Sequence, residues 1–283
     1  MPEHDSSNLP NVSDWRPKFI REIREHAEAD GLLQATHDIL QRDNIIVTAT
    51  GDVDTVRNHE GGLLFVGNHN KQFEFVALMD VLSQLGRTSM KNIVKFYVEN
   101  QVTWGLGSIA ADAVLPVYPR LLATDRKNKL NAELGSRLIY RKSLKNTTES
   151  KRLTDESLQA ATVELCNDGV VNIFPCGSIV NNIEHPWRAG VGQIVSQIPT
   201  AAKERVLVVP YHADNINRVR LLAAVAVRGK GMLARPQYIN LTMGRSQTAA
   251  EVVGSLPEQL QGDPKSITDA LRHQYVTSLI RPS

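Results

Sequence analysis

The sequence predicts an α/β fold: a mixed, mostly parallel sheet flanked by helices, with an N-terminal helical segment. Short apolar runs recur at 45–51, 63–66, 114–118, 170–174 and 206–211, and stretches of helical periodicity lie between several of them. Strands that alternate with helices are typical of a sheet covered by helices on its faces. The length of 283 residues and the hydrophobic fraction of 42% allow one large core.

The first 44 residues are predicted to form a tail and a helical segment, ahead of an α/β domain at 45–283. Residues 1–11 are polar and are expected to be disordered. One helix is predicted to start near Ser13, and a second covers Gly31–Gln41. Packing against the main domain is the expected use of the first helix. A membrane-surface position is the alternative, because Trp15 and several cations lie on it.

The α/β domain begins with the predicted strand Ile45–Gly51. A second strand follows the Gly61-Gly62 pair and leads to His69. The helix Phe75–Leu85 comes next and ends at Gly86, with Glu74 in its first turn.

The remaining predicted elements follow the same alternation. The predicted strands Ile93–Val98 and Val114–Tyr118 precede a helix at Leu153–Asn167, capped by Thr154 or Asp155. A C-terminal helix is predicted at Ser266–Ile280.

Charge is nearly balanced along most of the chain. The net charge of +2 gives no global basic field, so nucleic acid is not an expected partner. From Arg120 to Arg152, however, the chain has ten Lys or Arg residues and only three Asp or Glu residues. This segment is either a solvated helical face or a docking surface for an anionic membrane, an acyl carrier protein or the phosphates of coenzyme A.

Two cysteines, Cys166 and Cys176, make no disulfide framework, and no signal peptide is evident. A cytoplasmic location is expected. The sequence contains no run of eighteen apolar residues, so a membrane span is not expected and membrane contact would be peripheral, on the inner face. A metal site is not expected, because no CxxC pair occurs and His59 and His69 are too far apart for a helical ligand pair.

His69 and Glu74 are the most informative pair in the chain. His69 follows a buried strand, and Glu74 lies five residues further on. A carboxylate in that position can fix the imidazole tautomer and stabilise the imidazolium that forms when the base takes a proton. The alternative is a helix cap with a solvated acid that only complements the helix dipole.

Three further motifs follow in order: Val114–Arg120, the strand that leads into Phe174-Pro175-Cys176-Gly177-Ser178, and the strand Val206–Tyr211. With Asn68-His69-x4-Glu74 they resemble the glycerolipid acyltransferase family, which includes glycerol-phosphate and lysophosphatidate acyltransferases. That family carries Asn-His-x4-Asp, a strand ending in Arg, Phe-Pro-Glu-Gly-Thr-Arg and a Val-Pro strand. The resemblance covers roughly residues 45–226.

The resemblance implies an acyltransferase-like domain with a role in phospholipid biosynthesis or lipid metabolism. Acyl-CoA or acyl-ACP would be the co-substrate, with no permanently bound cofactor. The acyl group would pass to a hydroxyl or amine of a lipid or small-molecule acceptor. His69 would be the general base with Glu74 as its partner, and Asn68 would line the substrate site. Backbone N–H groups near Asn70 or Gly177 would hold the thioester oxyanion.

The third motif departs from the family. Phe174, Pro175 and Gly177 match and Ser178 replaces Thr, but Cys176 stands where the family has Glu and Ile179 where it has Arg. A non-standard acceptor is therefore expected. Its anionic groups would contact Arg120 and Arg188, the latter in a run that includes Gly190.

Three alternatives stay open. Cys176 is either a small buried side chain or a nucleophile activated by His69, His185 or His212. The protein is alternatively an inactive lipid- or acyl-binding relative. A thioester hydrolase, in which water replaces the acceptor, is the third alternative.

Overall fold

A computed structural model of the chain describes residues 30–67, 74–95, 114–117, 147–176, 186–217 and 236–280. Within these ranges, eight strands form one sheet. The strands are β1 (Ile45–Gly51), β2 (Gly62–Gly67), β3 (Lys91–Lys95), β4 (Val114–Val117), β5 (Val170–Ile173), β6 (Val206–Asp214), β7 (Gln237–Met243) and β8 (Gln247–Thr248). The helices are α1 (Leu32–Arg42), α2 (Val53–Asn58), α3 (Glu74–Gln84), α4 (Thr147–Cys166), α5 (Gly190–Gln197), α6 (Thr200–Lys203), α7 (Ala249–Gly254) and α8 (Pro264–Tyr275), with a 3-10 turn at Glu258–Leu260 and a π-helical turn at Val276–Ile280.

The sheet is mixed and mostly parallel, in the order β1-β7-β6-β2-β5-β3-β4, and β8 pairs with β6. β6, β2, β5, β3 and β4 run parallel to one another. β7 lies antiparallel to β6, and β1 lies parallel to β7, so these two run the opposite way. This arrangement, with helices on the sheet and a helix before the first strand, confirms the predicted fold class.

β2 is the central strand, and all six of its residues are buried. Its apolar side chains alternate between two hydrophobic clusters because successive side chains of a strand point to opposite faces. Leu63 and Phe65 pack in the cluster that also contains side chains of α1 and α3. Leu64 and Val66 pack in the other, with side chains of α4, α5, α7 and α8. A continuous apolar run is typical of a strand covered on both faces.

The register of the parallel strands brings three chain segments to one level. Val66 of β2 aligns with Ile173 of β5, and Gly67 aligns with Tyr211 of β6. Phe174 directly follows Ile173, so it comes level with Gly67. We call the region around Gly67, Phe174 and Tyr211 the carboxyl edge. Ligand sites of α/β proteins commonly lie at such an edge, where loops leave the parallel strands.

Several element boundaries differ from the predictions. α4 begins at Thr147, six residues before the predicted Leu153, so Thr154 and Asp155 lie inside the helix and do not cap it. α8 begins at Pro264, where the Asp263 side chain accepts a hydrogen bond from the Ser266 backbone N–H. β6 extends three residues past the predicted end because its last residues pair with β7. The helix predicted near Ser13 lies outside the described residues.

Among the helices that the structure describes, none combines the length and apolar character needed to cross a bilayer.

Candidate functional site at the carboxyl edge

The structure describes about half of the predicted site residues, and these belong to the segments that flank the carboxyl edge. The described ones are Glu74, Phe174, Pro175, Cys176, Arg188 and Gly190. The others, together with the predicted oxyanion donors, lie outside the described residues: Asn68, His69, Asn70, Arg120, Gly177 and Ser178.

The strands that lead into the first and third motifs are neighbours in the sheet, although about a hundred residues of chain separate them. β2, which leads into the first motif, pairs directly with β5, which leads into the third. Phe174 lies just past the end of β5 and packs against the hydrophobic clusters on both faces of the sheet. Its ring centroid lies 6.3 Å from that of Tyr211. The sheet therefore brings Gly67, which directly precedes the first motif, level with Phe174, the first residue of the third.

Glu74 is the first residue of α3, and it is only 1% exposed. An acid in the first turn of a helix interacts favourably with the helix dipole, but such an acid has no need to leave water. Burying a carboxylate costs free energy that charged or hydrogen-bonding neighbours must offset. The burial of Glu74 therefore goes beyond what a capping role requires.

The segment that carries Arg188 folds back beside the third motif. The Arg188 backbone N–H donates to the Pro175 carbonyl oxygen at 2.9 Å, and Trp187 is buried. The half-buried Arg188 thus lies next to the Phe174–Cys176 turn. Gly190 begins α5, and a Cβ added to it would lie 3.8 Å from a Leu158 methyl group and 3.9 Å from one of Ile173. Space alone therefore does not require glycine at position 190.

A buried row of polar side chains runs under the carboxyl edge. The Tyr211 hydroxyl donates to Asn172 Oδ1 at 3.0 Å, and the Asn172 amide donates to Asn92 Oδ1 at 2.9 Å. Tyr211 and Asn172 are each 1% exposed, and Asn92 is 5% exposed. We call Asn92, Asn172 and Tyr211 the polar row. No local pattern in the sequence predicts this row, because the three residues come from three different strands.

Tyr211 can reach Asn172 only by crossing β2, which lies between β6 and β5. It crosses at Gly67, where a Cβ would stand 2.6 Å from the tyrosine Cζ. The ring also makes an edge contact with Phe65, with centroids 6.0 Å apart. Position 67 therefore requires glycine for a steric reason that the sequence alone did not reveal.

The surroundings of Tyr211 keep its hydroxyl protonated. Burial holds the pKa of Tyr211 well above its usual value, and the charges of Glu74, Tyr275 and Cys176 add to this effect, while the hydrogen bond to Asn172 opposes it. The phenol is therefore a neutral donor.

Cys176 is 1% exposed and packs in the cluster with Trp187 and Tyr275. His212, one of the candidate bases for this thiol, has both ring nitrogens in hydrogen bonds to other side chains. The burial of Cys176 and the engagement of His212 favour a packing role for the thiol over a nucleophilic one.

His212 joins β6 to the C-terminal helix. Its Nε2 lies 2.9 Å from Asp214 Oδ1, and its Nδ1 lies 3.0 Å from the Tyr275 hydroxyl. Because a carboxylate only accepts, the neutral imidazole carries its hydrogen on Nε2 and accepts the Tyr275 hydroxyl at Nδ1. His212 was a candidate base in the sequence, but its pairing with Asp214 and Tyr275 was not predicted. The signal was present, since residues two apart on a strand share a face.

Within the described part of the chain, no three His, Cys, Asp or Glu side chains converge as a metal site would require. No protein-family model matches the chain, and no curated protein matches it. The family resemblance therefore rests on the residues of the four sequence motifs.

Proposed function

We propose that the protein is an acyltransferase that moves a fatty acyl group from acyl-CoA or acyl-ACP to a hydroxyl or amine of a lipid or lipid-like acceptor. His69 is the general base and Glu74 its partner. The base takes the acceptor proton, the new C–O or C–N bond forms at the thioester carbonyl, and the C–S bond breaks. The thiolate leaves and takes a proton, so the products are an ester or amide and a free thiol.

One observation carries the proposal: Glu74 is a buried carboxylate beside the carboxyl edge, at the start of the helix that follows β2. His69 follows Gly67 by two residues and precedes Glu74 by five. A buried acid at this point of the chain is better explained as the electrostatic partner of an imidazole than as a helix cap. The pairing of β2 with β5 supports the proposal further, because these neighbouring strands lead into the two most specific motifs.

The donor contacts belong to the same proposal. The basic segment Arg120–Arg152 would bind the carrier phosphates or an anionic membrane surface, and of this segment the structure describes only the first residues of α4. Arg188, which lies beside Pro175, would contact an anionic group of the acceptor. Residence in the cytoplasm with peripheral membrane contact is part of this proposal.

Thiol release tests the proposed reaction. Purified protein is mixed with palmitoyl-CoA or palmitoyl-ACP and a panel of acceptor alcohols and amines, and free thiol is followed by absorbance while mass spectrometry identifies the acylated product. We expect acceptor-dependent release that is lost in His69→Ala. His273→Ala is the matched control, because His273 is exposed on α8.

Each other outcome has a defined meaning. Thiol release that persists in His69→Ala contradicts the assignment of the base. Release that needs no acceptor makes the protein a hydrolase. Loss of activity in Cys176→Ser with an accumulated acyl-enzyme in the wild type would replace the base mechanism by a covalent one.

A further inference from the structure

The two edges of the sheet differ in how their backbone groups are protected. β4, at one end of the strand order, is four residues long and includes Pro116, which has no backbone N–H. Short edge strands, proline and charged side chains are the usual devices that keep a sheet from pairing with another chain. β1, at the other end, is seven residues long and contains neither proline nor a charged side chain. The outer edge of β1 therefore lacks these devices.

Hydrogen bonds at the two ends of β1 show which of its backbone groups point away from β7. The Asn44 carbonyl oxygen accepts from the Gln237 N–H at 3.0 Å, and the Asp52 N–H donates to the Met243 carbonyl oxygen at 3.1 Å. Because successive residues of a strand direct their N–H and C=O groups to opposite sides, the even-numbered residues face β7. The outward groups belong to the odd-numbered residues: Ile45, Val47, Ala49 and Gly51.

Within the described ranges, no strand pairs with this outer edge. The Gln84 side chain reaches it from α3, but its amide nitrogen lies 3.5 Å from the Val47 carbonyl oxygen, which is longer than an ordinary hydrogen bond. The same nitrogen makes a much shorter contact of 2.6 Å with Asp80 Oδ2. Gln84 therefore does not take the place of a partner strand.

The side chains of β1 hold the strand firmly and leave one of its faces open to solvent. Ile45 and Val47 are buried in the hydrophobic cluster that contains side chains of α1 and α3. Thr48 points to the opposite face and is exposed. On that face Ile46 is half-buried, and its neighbour in register, Tyr238 of β7, is 57% exposed. The edge thus combines a fixed backbone with an uncharged, partly apolar surface beside it.

β1 is complementary to itself. Five of its seven residues are Ile, Val or Thr, which favour strand pairing. A twofold axis that relates two antiparallel copies of β1 brings no like charges together within the strands, because neither strand carries a charge. With the axis at Thr48, the half-buried Ile46 lies opposite Thr50 of the second copy, and β-branched side chains meet along the open face.

We propose that the outer edge of β1 binds β1 of a second copy of this chain, antiparallel and about a twofold axis at Thr48. Val47 then lies opposite Ala49 of the second copy, so their outward N–H and C=O groups hydrogen-bond to one another. Thr48 lies opposite Thr48 of the second copy, and threonine pairs across strands stabilise a sheet. The two sheets become one continuous sheet. This interface is independent of the proposed acyl transfer.

Sedimentation equilibrium of the full chain tests the interface. We expect the wild type to form a dimer of twice 31.3 kDa that dissociates on dilution. Thr48→Lys places two like charges on residues whose Cα atoms are about 4.5 Å apart, and it should raise the dimer dissociation constant at least about 10-fold. Asn240→Lys is the matched control and should change it little. Asn240 is exposed on the same face and level with Thr48, but it lies one strand further from the edge.

A mixture of two variants tests the position of the axis. Thr48→Asp alone should weaken the dimer as Thr48→Lys does. An equimolar mixture of the two variants should form a heterodimer, because unlike charges then lie opposite each other. Two variants that are each monomeric and stay monomeric when mixed contradict an axis at Thr48.

A wild type that stays monomeric throughout the micromolar range overturns the proposal. Hydrogen exchange at the Val47 and Ala49 amides then shows whether another segment of the chain pairs with the edge, which protects them, or the edge is open. A dimer that survives Thr48→Lys, or one that Asn240→Lys weakens equally, also overturns it, because the contact then lies elsewhere. If Thr48→Lys does not fold, exchange in the wild type decides: protection of these two amides must increase with protein concentration.

Discussion

The ring of Tyr211 lies so close to Gly67 that a Cβ at position 67 would stand 2.6 Å from Cζ and 2.7 Å from Cε1 of the tyrosine. Both residues are buried at the end of the central strand pair, where β2 meets β6. The contact lets one aromatic side chain cross a neighbouring strand and hydrogen-bond to the strand beyond it. Because Gly67 has no side chain, Tyr211 of β6 can pass over β2 and hydrogen-bond to Asn172 of β5.

Gly67→Ala should destabilise the protein by about 1–3 kcal/mol, because the added methyl group forces a buried ring to move in a packed core. Urea unfolding measures the change. Gly254→Ala is the control, since a Cβ at position 254 meets nothing within 4 Å. If the clash is the cause, combining Gly67→Ala with Tyr211→Ala will cost less than the sum of the two single changes. Additive costs would contradict this explanation.

Glu74→Gln should keep the volume of the buried side chain and remove its charge. If Glu74 stabilises a protonated base, kcat for thiol release will fall roughly 100-fold, which is the lower end of the rate enhancement that general acid–base catalysis usually provides. The acid limb of the pH profile should move to lower pH, because an imidazole without a neighbouring carboxylate is deprotonated more easily. Steady-state kinetics from pH 5 to 9 checks both effects. Glu156→Gln, on an exposed residue paired with Arg152, should change neither.

Asp52 should contribute stability that depends on pH. It joins α2 to the turn after β7, where its carboxylate accepts hydrogen bonds from the Thr55 hydroxyl and, at 2.8 Å, from the Ser246 backbone N–H. Burial by itself would raise the pKa of Asp52, but these hydrogen bonds and the charge of Arg245 bring it below the ordinary 3.8. A lowered folded-state pKa gives stability that is present above 3.8 and is lost as the pH falls through the folded-state pKa.

Asp52→Asn should therefore lower the free energy of unfolding by about 1 kcal/mol at pH 7. This is less than the roughly 1.5–3 kcal/mol of a hydrogen bond to a charged group, because Asp52 is partly exposed and water screens its charge. The difference from the wild type should shrink as the pH falls below 3.8. Urea unfolding at several pH values measures it. Asp54→Asn is the neighbouring control, because Asp54 is 86% exposed and its ion pair with Arg57 should contribute little. A difference that is constant with pH would refute the role of the charge.

His212 should be found as the Nε2–H tautomer. Nitrogen NMR of the imidazole rings distinguishes the tautomers, and Asp214→Asn should remove the preference. Tyr275→Phe should keep the tautomer and the edge contact with Trp187, and should lower the free energy of unfolding by about 1 kcal/mol through loss of one buried hydrogen bond. A predominant Nδ1–H form in the wild type would show that Asp214 does not orient the ring.

Local patterns in the chain predicted much of the fold. The apolar run of β2 and the flanking glycines predicted its position. The periodicity of α3 predicted Phe75–Leu85, one residue from the observed Glu74–Gln84 at each end, with Glu74 in the first turn. The strand β7 was missed, although its buried and exposed residues alternate with a period of two. The start of α4 was misplaced because a basic segment with few apolar residues offers no periodic signal.

The sequence by itself determined the fold class and the order of the motifs, because hydrophobic periodicity and turn residues act over a few positions. It also singled out Glu74 as the acid beside the proposed base. Only the tertiary structure decided that Glu74 is buried, that Gly67 must be glycine and that Asn92, Asn172 and Tyr211 form one hydrogen-bonded row. Strand order and register bring these residues together, and both are set by the packing of the whole sheet.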